Sequence, residues 1–235
     1  MRIIVIIRMA VEVGCGIGYT ENQEIKKYVW LNPVVAAMAG DTYADLLKQL
    51  ADRRFTVVTC DSSADKVRKE YRRRLQAGGE RPIIDTRCPV IGQIVLRDYP
   101  ELSGRLAPVL PILLMGAKAL YHQFVETDPA GAVLTMVTPC QALATSGNEL
   151  FGSRVQFVAW KTFYQEHGLE CAMNRVDVSP IPPGFFRYPE YQVLEGSGNG
   201  SVRQLLSMSV HKPKRADLLE LLYCEGGCHN GDGME

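Results

Sequence analysis

From residue 41 onward the chain alternates between apolar positions at helical period and short apolar runs bounded by turn residues. Tyr43, Leu46, Leu47 and Leu50 recur on one helix face, with Asp41 or Thr42 placed to cap it. Residues 55–59 then read as a strand, 63–76 as a helix ended near Gly78 and Gly79, and 82–85 as a second strand. The next unit predicts a helix over 90–98 that starts on Pro89 and closes at Tyr99-Pro100. A long apolar helix follows from Pro111 to about Val125, then strands at 132–137 and 155–159 and a helix at 162–167 stopped by Gly168. Residues 179–184 are proline-rich and extended. A short strand is expected to end at Val193, ahead of a glycine-rich turn at 196–200 and a helix at 201–208. A last helix is expected at 215–222. Upstream, 2–7 reads as a buried strand and 11–23 as a loop around Gly14-Cys15-Gly16, whose glycine spacing does not fit a dinucleotide loop. Strand, helix, strand with short connections is the order of an α/β fold, a mostly parallel sheet covered by helices.

Composition narrows the function. With 235 residues, 46% of them apolar, the chain can build one large domain or two lobes. Its 26 basic and 26 acidic residues cancel, and the one basic cluster, Lys66 to Arg74, alternates with other residues as a solvated helix face does, so no nucleic-acid partner is expected. The most apolar stretch, 106–121, carries Pro108, Pro111 and Lys118 and is too short to span a bilayer, so no membrane association is expected. Arg8 interrupts the apolar run at the N-terminus before it reaches the length of a secretory leader. The expectation is a cytoplasmic, reducing compartment, where seven cysteines serve as ligands or redox centres rather than as disulfides.

Four of the seven share a setting. Cys88 follows a predicted strand and precedes Pro89; Cys140 ends a strand and follows Pro139; Cys224 and Cys228 flank Gly226 and Gly227 in a terminal loop. Ligands just beyond parallel strand ends converge outside the carboxyl edge of the sheet. Four thiolates suit a cubane iron–sulfur cluster better than structural zinc, whose sites favour paired C-x-x-C knuckles that are absent here. Cys15, Cys60 and Cys171 read as small buried hydrophobes. The glycine-rich turn at 196–200 lacks the lysine and spacing of a P-loop, and reads as a tight turn packed on a buried group in preference to an anion cradle.

Thr86-Arg87-Cys88-Pro89, Tyr99-Pro100-Glu101-Leu102, Leu106-Ala107-Pro108, Thr138-Pro139-Cys140 and Cys224-Glu225-Gly226-Gly227-Cys228-His229-Asn230-Gly231 occur in this order. Together they resemble the C-terminal (H-cluster) domain found in the large subunit of iron-only (FeFe) hydrogenases. The resemblance covers 33–235 and leaves 1–32 as a separate N-terminal segment. Ser179-Pro180-Ile181-Pro182-Pro183-Gly184 and the 196–200 turn resemble the shortened, sensor-type relatives that do not catalyse hydrogen turnover. The resemblance implies two lobes of mostly parallel sheet flanked by helices, with a 4Fe-4S cluster held in the cleft by Cys88, Cys140, Cys224 and Cys228. It also implies that Cys228 would bridge to a di-iron unit.

Several positions depart from that pattern. Catalytic relatives carry a proton-relaying cysteine at the position of Arg87, a lysine at that of Leu143, methionines at those of Thr138 and Leu222, and a proline at that of Glu225. A guanidinium stays protonated and cannot relay a proton as a thiol does. Proton relay, anion pairing and packing for a di-iron unit are therefore all missing, which puts that unit in doubt and leaves no catalytic residue to name. Arg87 beside Cys88 is expected to raise a cluster's potential and Glu225 to lower it.

The expected function is that of a 4Fe-4S redox or sensory module without efficient hydrogen turnover. The alternatives are an active, ferredoxin-dependent hydrogenase with an altered proton path, or a truncated gene product. The chain has no ferredoxin-like cysteine spacing, so a ferredoxin-like electron-transfer module in cis upstream or in trans is expected as partner. The sensor-type likeness adds a signalling module of PAS, kinase or phosphatase type.

Overall fold

Two parallel sheets carry the fold, in a computed structural model that describes residues 25–60, 63–212 and 215–234. In chain order the elements are β1 (Lys27–Trp30), α1 (Pro33–Ala39), α2 (Tyr43–Asp52), β2 (Phe55–Val57), α3 (Ser63–Ala77), β3 (Ile83–Ile84), α4 (Pro89–Asp98), α5 (Ile112–Leu120), β4 (Val133–Thr138), α6 (Gln141–Leu150), β5 (Val155–Ala159), α7 (Trp160–Glu166), β6 (Val193–Ser197), α8 (Asn199–His211) and β7 (Leu218–Leu222). The strand expected at 2–7 and the loop around Cys15 lie outside the described residues.

The first sheet has the order β2-β1-β4-β5 and the second β3-β7-β6, with every strand pair parallel. Parallel strands are buried on both faces, and each sheet here lies between two apolar cores. On one side of the first sheet Val29 and Val137 pack with Leu46 and Leu50 of α2 and Trp160 and Phe163 of α7. On the other, Leu134, Met136 and Phe157 meet Leu113 and Ala117 of α5 and Ala144 of α6. In the second sheet Leu219 and Leu221 face Ile91, Val95, Val202 and Leu206, while Leu218 joins Tyr71, Phe185 and Phe186 on the opposite side. The α/β architecture read from the sequence is therefore the one observed.

Several elements differ from expectation. Leu218 to Leu222 is a strand, not the end of a helix: it is the middle strand of its sheet and buried along its whole length. Its leucines fit either period, and burial on both faces selects the strand. Val193 begins β6 rather than ending a strand, with Gly196 inside it. Strand β1 and helices α1 and α6 were not expected. Helix α1 carries a legible start, because Asn32 Oδ1 accepts from the Val34 N–H and Pro33 occupies the first turn. Helix α6 is masked in the sequence by its small residues; Gly147 sits so close to the Phe157 ring that a Cβ there would collide with it. Helix α7 starts at Trp160, two residues before the expected start at Thr162. The long apolar helix is α-helical to Leu120 and widens into a π turn over Tyr121–Val125. Strand β1 pairs with both β2 and β4, although it lies within the 1–32 segment set apart from the sequence. Among the described residues no helix is long and apolar enough to cross a membrane.

Candidate functional site

The three strands β3, β4 and β7 each run out toward a cysteine. Cys88 follows β3 and caps α4, Cys140 follows β4 and caps α6, and Cys224 follows β7. Replacing the expected terminal helix by β7 thus places the last pair of cysteines on the same plan as the first two. Both sheets contribute, so the thiols meet where the two lobes face each other.

Cys88, Cys140, Cys224 and Cys228 all line one cavity of about 280 Å³, closed by Pro89, Leu143, Leu222 and Asp232. Cys60 and Cys171 do not line it; they pack at the edges of the two cores of the first sheet. Burial pushes the thiols up, Cys140 to about 12, Cys224 to about 11 and Cys228 to about 12, and the charge each would place on its neighbours adds to the rise. Cys88 is raised for the same first reason, while the backbone N–H groups of Tyr223, Ile91 and Val90 pull it back by donating to its sulfur. These four partly buried thiols would have to release their protons to ligate a cationic centre. Among the described residues no group of three or more His, Cys, Asp or Glu side chains is gathered tightly enough for a single metal ion. Four thiols around one cavity are a donor set that could hold an iron–sulfur group.

The glycines of the terminal loop act on the backbone. Gly226 and Gly227 have φ of 68° and 127°, which only glycine adopts without strain. A Cβ at Gly231 would run into the Pro139 carbonyl, and one at Gly233 would lie 3.0 Å from the Cys140 Cα. The loop therefore lies directly on Pro139-Cys140. Gly233 N–H donates to the Pro139 carbonyl (3.2 Å), and the Gly233 carbonyl accepts from Lys161 N–H (2.8 Å). Asp232 Oδ1 accepts from the Gln141 N–H at the start of α6 (3.0 Å), and Met234 is buried with Trp160 and Phe163. These contacts hold Cys228 and Cys140 to the same wall.

Arg87 lines the same cavity and is fixed in place. Its Nε donates to Asp85 Oδ2 and its Nη2 to Glu220 Oε1, each at 2.8 Å, and the guanidinium lies 4.3 Å and 4.5 Å from the Phe185 and Phe186 ring centres. Glu220 also accepts from the N–H groups of Phe185 and Phe186, and Asp85 from the Tyr71 hydroxyl. Desolvation pulls Arg87 down, but the two carboxylates more than offset it and hold it above its ordinary value. The single positive charge expected beside Cys88 is thus matched by two buried carboxylates. Sequence reasoning missed Asp85 and Glu220; the signal was a lone charged residue inside the apolar run Leu218 to Leu222, because buried charges occur paired. Glu225 turns away from the thiol cavity. Its carboxylate lies against Gly198, the N-cap of α8, where a Cβ would overlap it. The turn expected at 196–200 is instead the end of β6 and the start of α8, joined at Gly198, and it is tightly packed, since a Cβ at Gly196 would come within 2.7 Å of Leu205.

A second cavity of about 210 Å³ lies beyond Cys228, and Arg87, Leu143, Leu222 and Cys228 border both spaces. Its remaining walls are largely apolar, including Trp30, Val34, Leu113 and Ile181, with Cys60 and the unpartnered Ser179 hydroxyl among them. The Thr138 hydroxyl is not free to serve this space, because it donates to the Cys140 carbonyl (2.9 Å).

No family model matches the chain, and no curated protein matches it in sequence. Its fold is similar to that of solved FeFe-hydrogenases. The HydA(deltaEFG) structure described as revealing stepwise H-cluster assembly aligns with a TM-score of 0.61 at 12% identity, over 89% of this chain and 79% of that one. A variant of apo HydA1 from Chlamydomonas reinhardtii aligns with a TM-score of 0.58 at 13% identity, over 92% and 82%. Another HydA1 variant from the same organism gives 0.60 at 14% identity, over 92% and 81%. At these identities the likeness is one of fold.

Proposed function

We propose that this chain is an iron–sulfur redox or sensory module, related to iron-only hydrogenases, that holds a 4Fe-4S cluster on Cys88, Cys140, Cys224 and Cys228 and does not turn over hydrogen efficiently. The observation that carries the reading is that these four thiols share one cavity while Cys60 and Cys171 lie outside it. A cluster bound there would supply one-electron chemistry, with a potential set by charge, hydrogen bonds to sulfur and exposure. The backbone donors on Cys88 stabilise negative charge on its sulfur. Arg87 contributes less than an isolated cation would, because Asp85 and Glu220 neutralise it, and Glu225 acts from a distance on the far side of the loop.

The absence of efficient turnover rests on the walls around Cys228. Arg87 cannot release a proton while two carboxylates hold it, Leu143 and Leu222 offer none, and Thr138 is committed to a backbone carbonyl. Electrons would come from a ferredoxin-like module upstream or in trans, and a signalling module would read the cluster state. A reducing, cytoplasmic setting suits the free thiols.

Anaerobic purification with iron and sulfide assay and electron paramagnetic resonance tests the reading. A cubane signal lost in Cys224→Ser supports it; iron-free protein after reconstitution, or an unchanged signal in that variant, sinks it. An active hydrogenase is favoured as second reading by the cavity beyond Cys228, which has room for a further group. Hydrogen evolution from reduced viologen after loading with a di-iron unit would establish it and displace the first.

A further inference from the structure

We infer that the cavity beyond Cys228 is a binding site for a neutral, apolar molecule about the size of one aromatic ring. Its volume of about 210 Å³ exceeds the roughly 150 Å³ of a buried apolar cavity that stays dry and takes up benzene. It lies between α1, α5, the 179–181 segment and the terminal loop, so an occupant would rest beside Cys228. Trp30, Val34, Ile112, Leu113, Leu143 and Ile181 give it apolar walls. Exposed Pro33 and Pro180 stand at its rim.

The polar residues on its walls are engaged within the protein. Asn32 Nδ2 donates to the Val137 carbonyl (3.3 Å), and its Oδ1 accepts from the Val34 N–H (3.0 Å). The Cys60 thiol and the Ser63 hydroxyl share a hydrogen bond at 3.3 Å. Arg87 is the one charged residue among the described residues that line the space, and Asp85 and Glu220 hold its guanidinium, so it adds no net positive charge. The Ser179 hydroxyl has no partner, but protein atoms cover it and it presents no donor to the cavity. Cys228 adds only a weakly hydrogen-bonding sulfur. Such a space holds water poorly, because a buried water needs about two to four polar partners. It rejects an ion for the same reason: a carboxylate placed there would lose its hydration without gaining a partner. Burial of apolar surface against these walls is the remaining source of affinity.

The inference does not rest on the iron–sulfur reading, and it is tested on the full chain under reducing conditions before iron is supplied, so that failure of one leaves the other standing. Isothermal titration calorimetry is expected to show saturable binding of toluene, and at least about tenfold weaker binding of benzoate, which carries the same ring with a charge. Nuclear Overhauser contacts from toluene to the methyl groups of Leu113 and Leu143 are expected to place it. Gly116 of α5 offers a way to fill the space, because the nearest atoms a Cβ there would meet are the Ser63 hydroxyl at 3.5 Å and the Cys60 sulfur at 3.8 Å, both ordinary contacts. Gly116→Leu should weaken toluene at least about tenfold. Gly116→Ala should keep or raise the thermal midpoint, because alanine favours a helix over glycine, and so shows that the position accepts a side chain. Absence of saturable toluene binding overturns the inference, as do contacts to other methyl groups alone, benzoate bound as tightly, or unaltered affinity in folded Gly116→Leu.

Discussion

The Arg87 guanidinium donates to the Glu220 carboxylate at 2.8 Å across 133 residues of chain. This bond ties the residue before Cys88 to the strand that leads to Cys224, so two thiols of one cavity are positioned by a buried charge pair. The ring faces of Phe185 and Phe186 cover the guanidinium, and their N–H groups satisfy the carboxylate from behind. Such a network stabilises through completeness: removing one partner leaves the other charges buried and unpaired.

Arg87→Met is therefore expected to destabilise the protein by about 3 kcal/mol or more, because Asp85 and Glu220 lose their cation. Arg87→Lys should recover only part of this, since an ammonium cannot bridge two carboxylates with separate N–H groups while stacking on two rings. Urea unfolding followed by circular dichroism reads both; a midpoint in Arg87→Met equal to the parent's would show that the network holds nothing.

Gly231→Ala is expected to lift the terminal loop from Pro139, because its backbone angle is ordinary and the obstacle is the carbonyl facing it. Cluster content after reconstitution should fall markedly, with iron per chain as the measurement. Gly147→Ala forces a methyl group into the Phe157 ring, and should cost about 1–3 kcal/mol without a selective loss of iron in the protein that remains folded.

Single serine substitutions should divide the cysteines into two classes. Cys88→Ser, Cys140→Ser, Cys224→Ser and Cys228→Ser are expected to lower iron and sulfide content after reconstitution, whereas Cys60→Ser and Cys171→Ser leave both unchanged. Cys60 is the more demanding control, because it borders the space beyond Cys228 and contacts the Ser63 hydroxyl at 3.3 Å. Iron loss in Cys60→Ser would require a ligand set other than the one proposed.

The iron-free protein should lose stability in alkali. Burial raises Cys140 to about 12, Cys224 to about 11 and Cys228 to about 12, from an ordinary value of 9.0. The unfolded chain therefore releases these protons first. The stability contributed by the protonated thiols is fully present below pH 9 and is lost as pH rises toward 12. Under reducing conditions the thermal midpoint should fall between about pH 8 and about pH 10.5, and fall less in a variant with all three thiols replaced by serine. Equal slopes in the two proteins would refute the assignment.

The local code of the chain set much of this in advance. Helical spacing in Tyr43 to Leu50, Pro89 at the start of α4 and Pro139 at the end of β4 were readable because each acts on its own neighbours in sequence. The gathering of the four cysteines at one cavity was also readable, since their flanking prolines and glycines mark strand ends and turns. Tertiary structure decided the rest. Leu218 to Leu222 became a strand because β3 and β6 flank it, a fact that five residues of ambiguous period cannot contain. Arg87 lost its role as an isolated charge because Glu220 reaches it from β7, 133 residues away, beside its near neighbour Asp85. Gly231 and Gly233 proved to make room for the Pro139-Cys140 backbone, and Glu225 to lie at the start of α8. Spacing along a chain records short-range sterics and turn chemistry; which charges meet and which surfaces close depends on segments far apart in sequence, brought together only by burial of the shared cores.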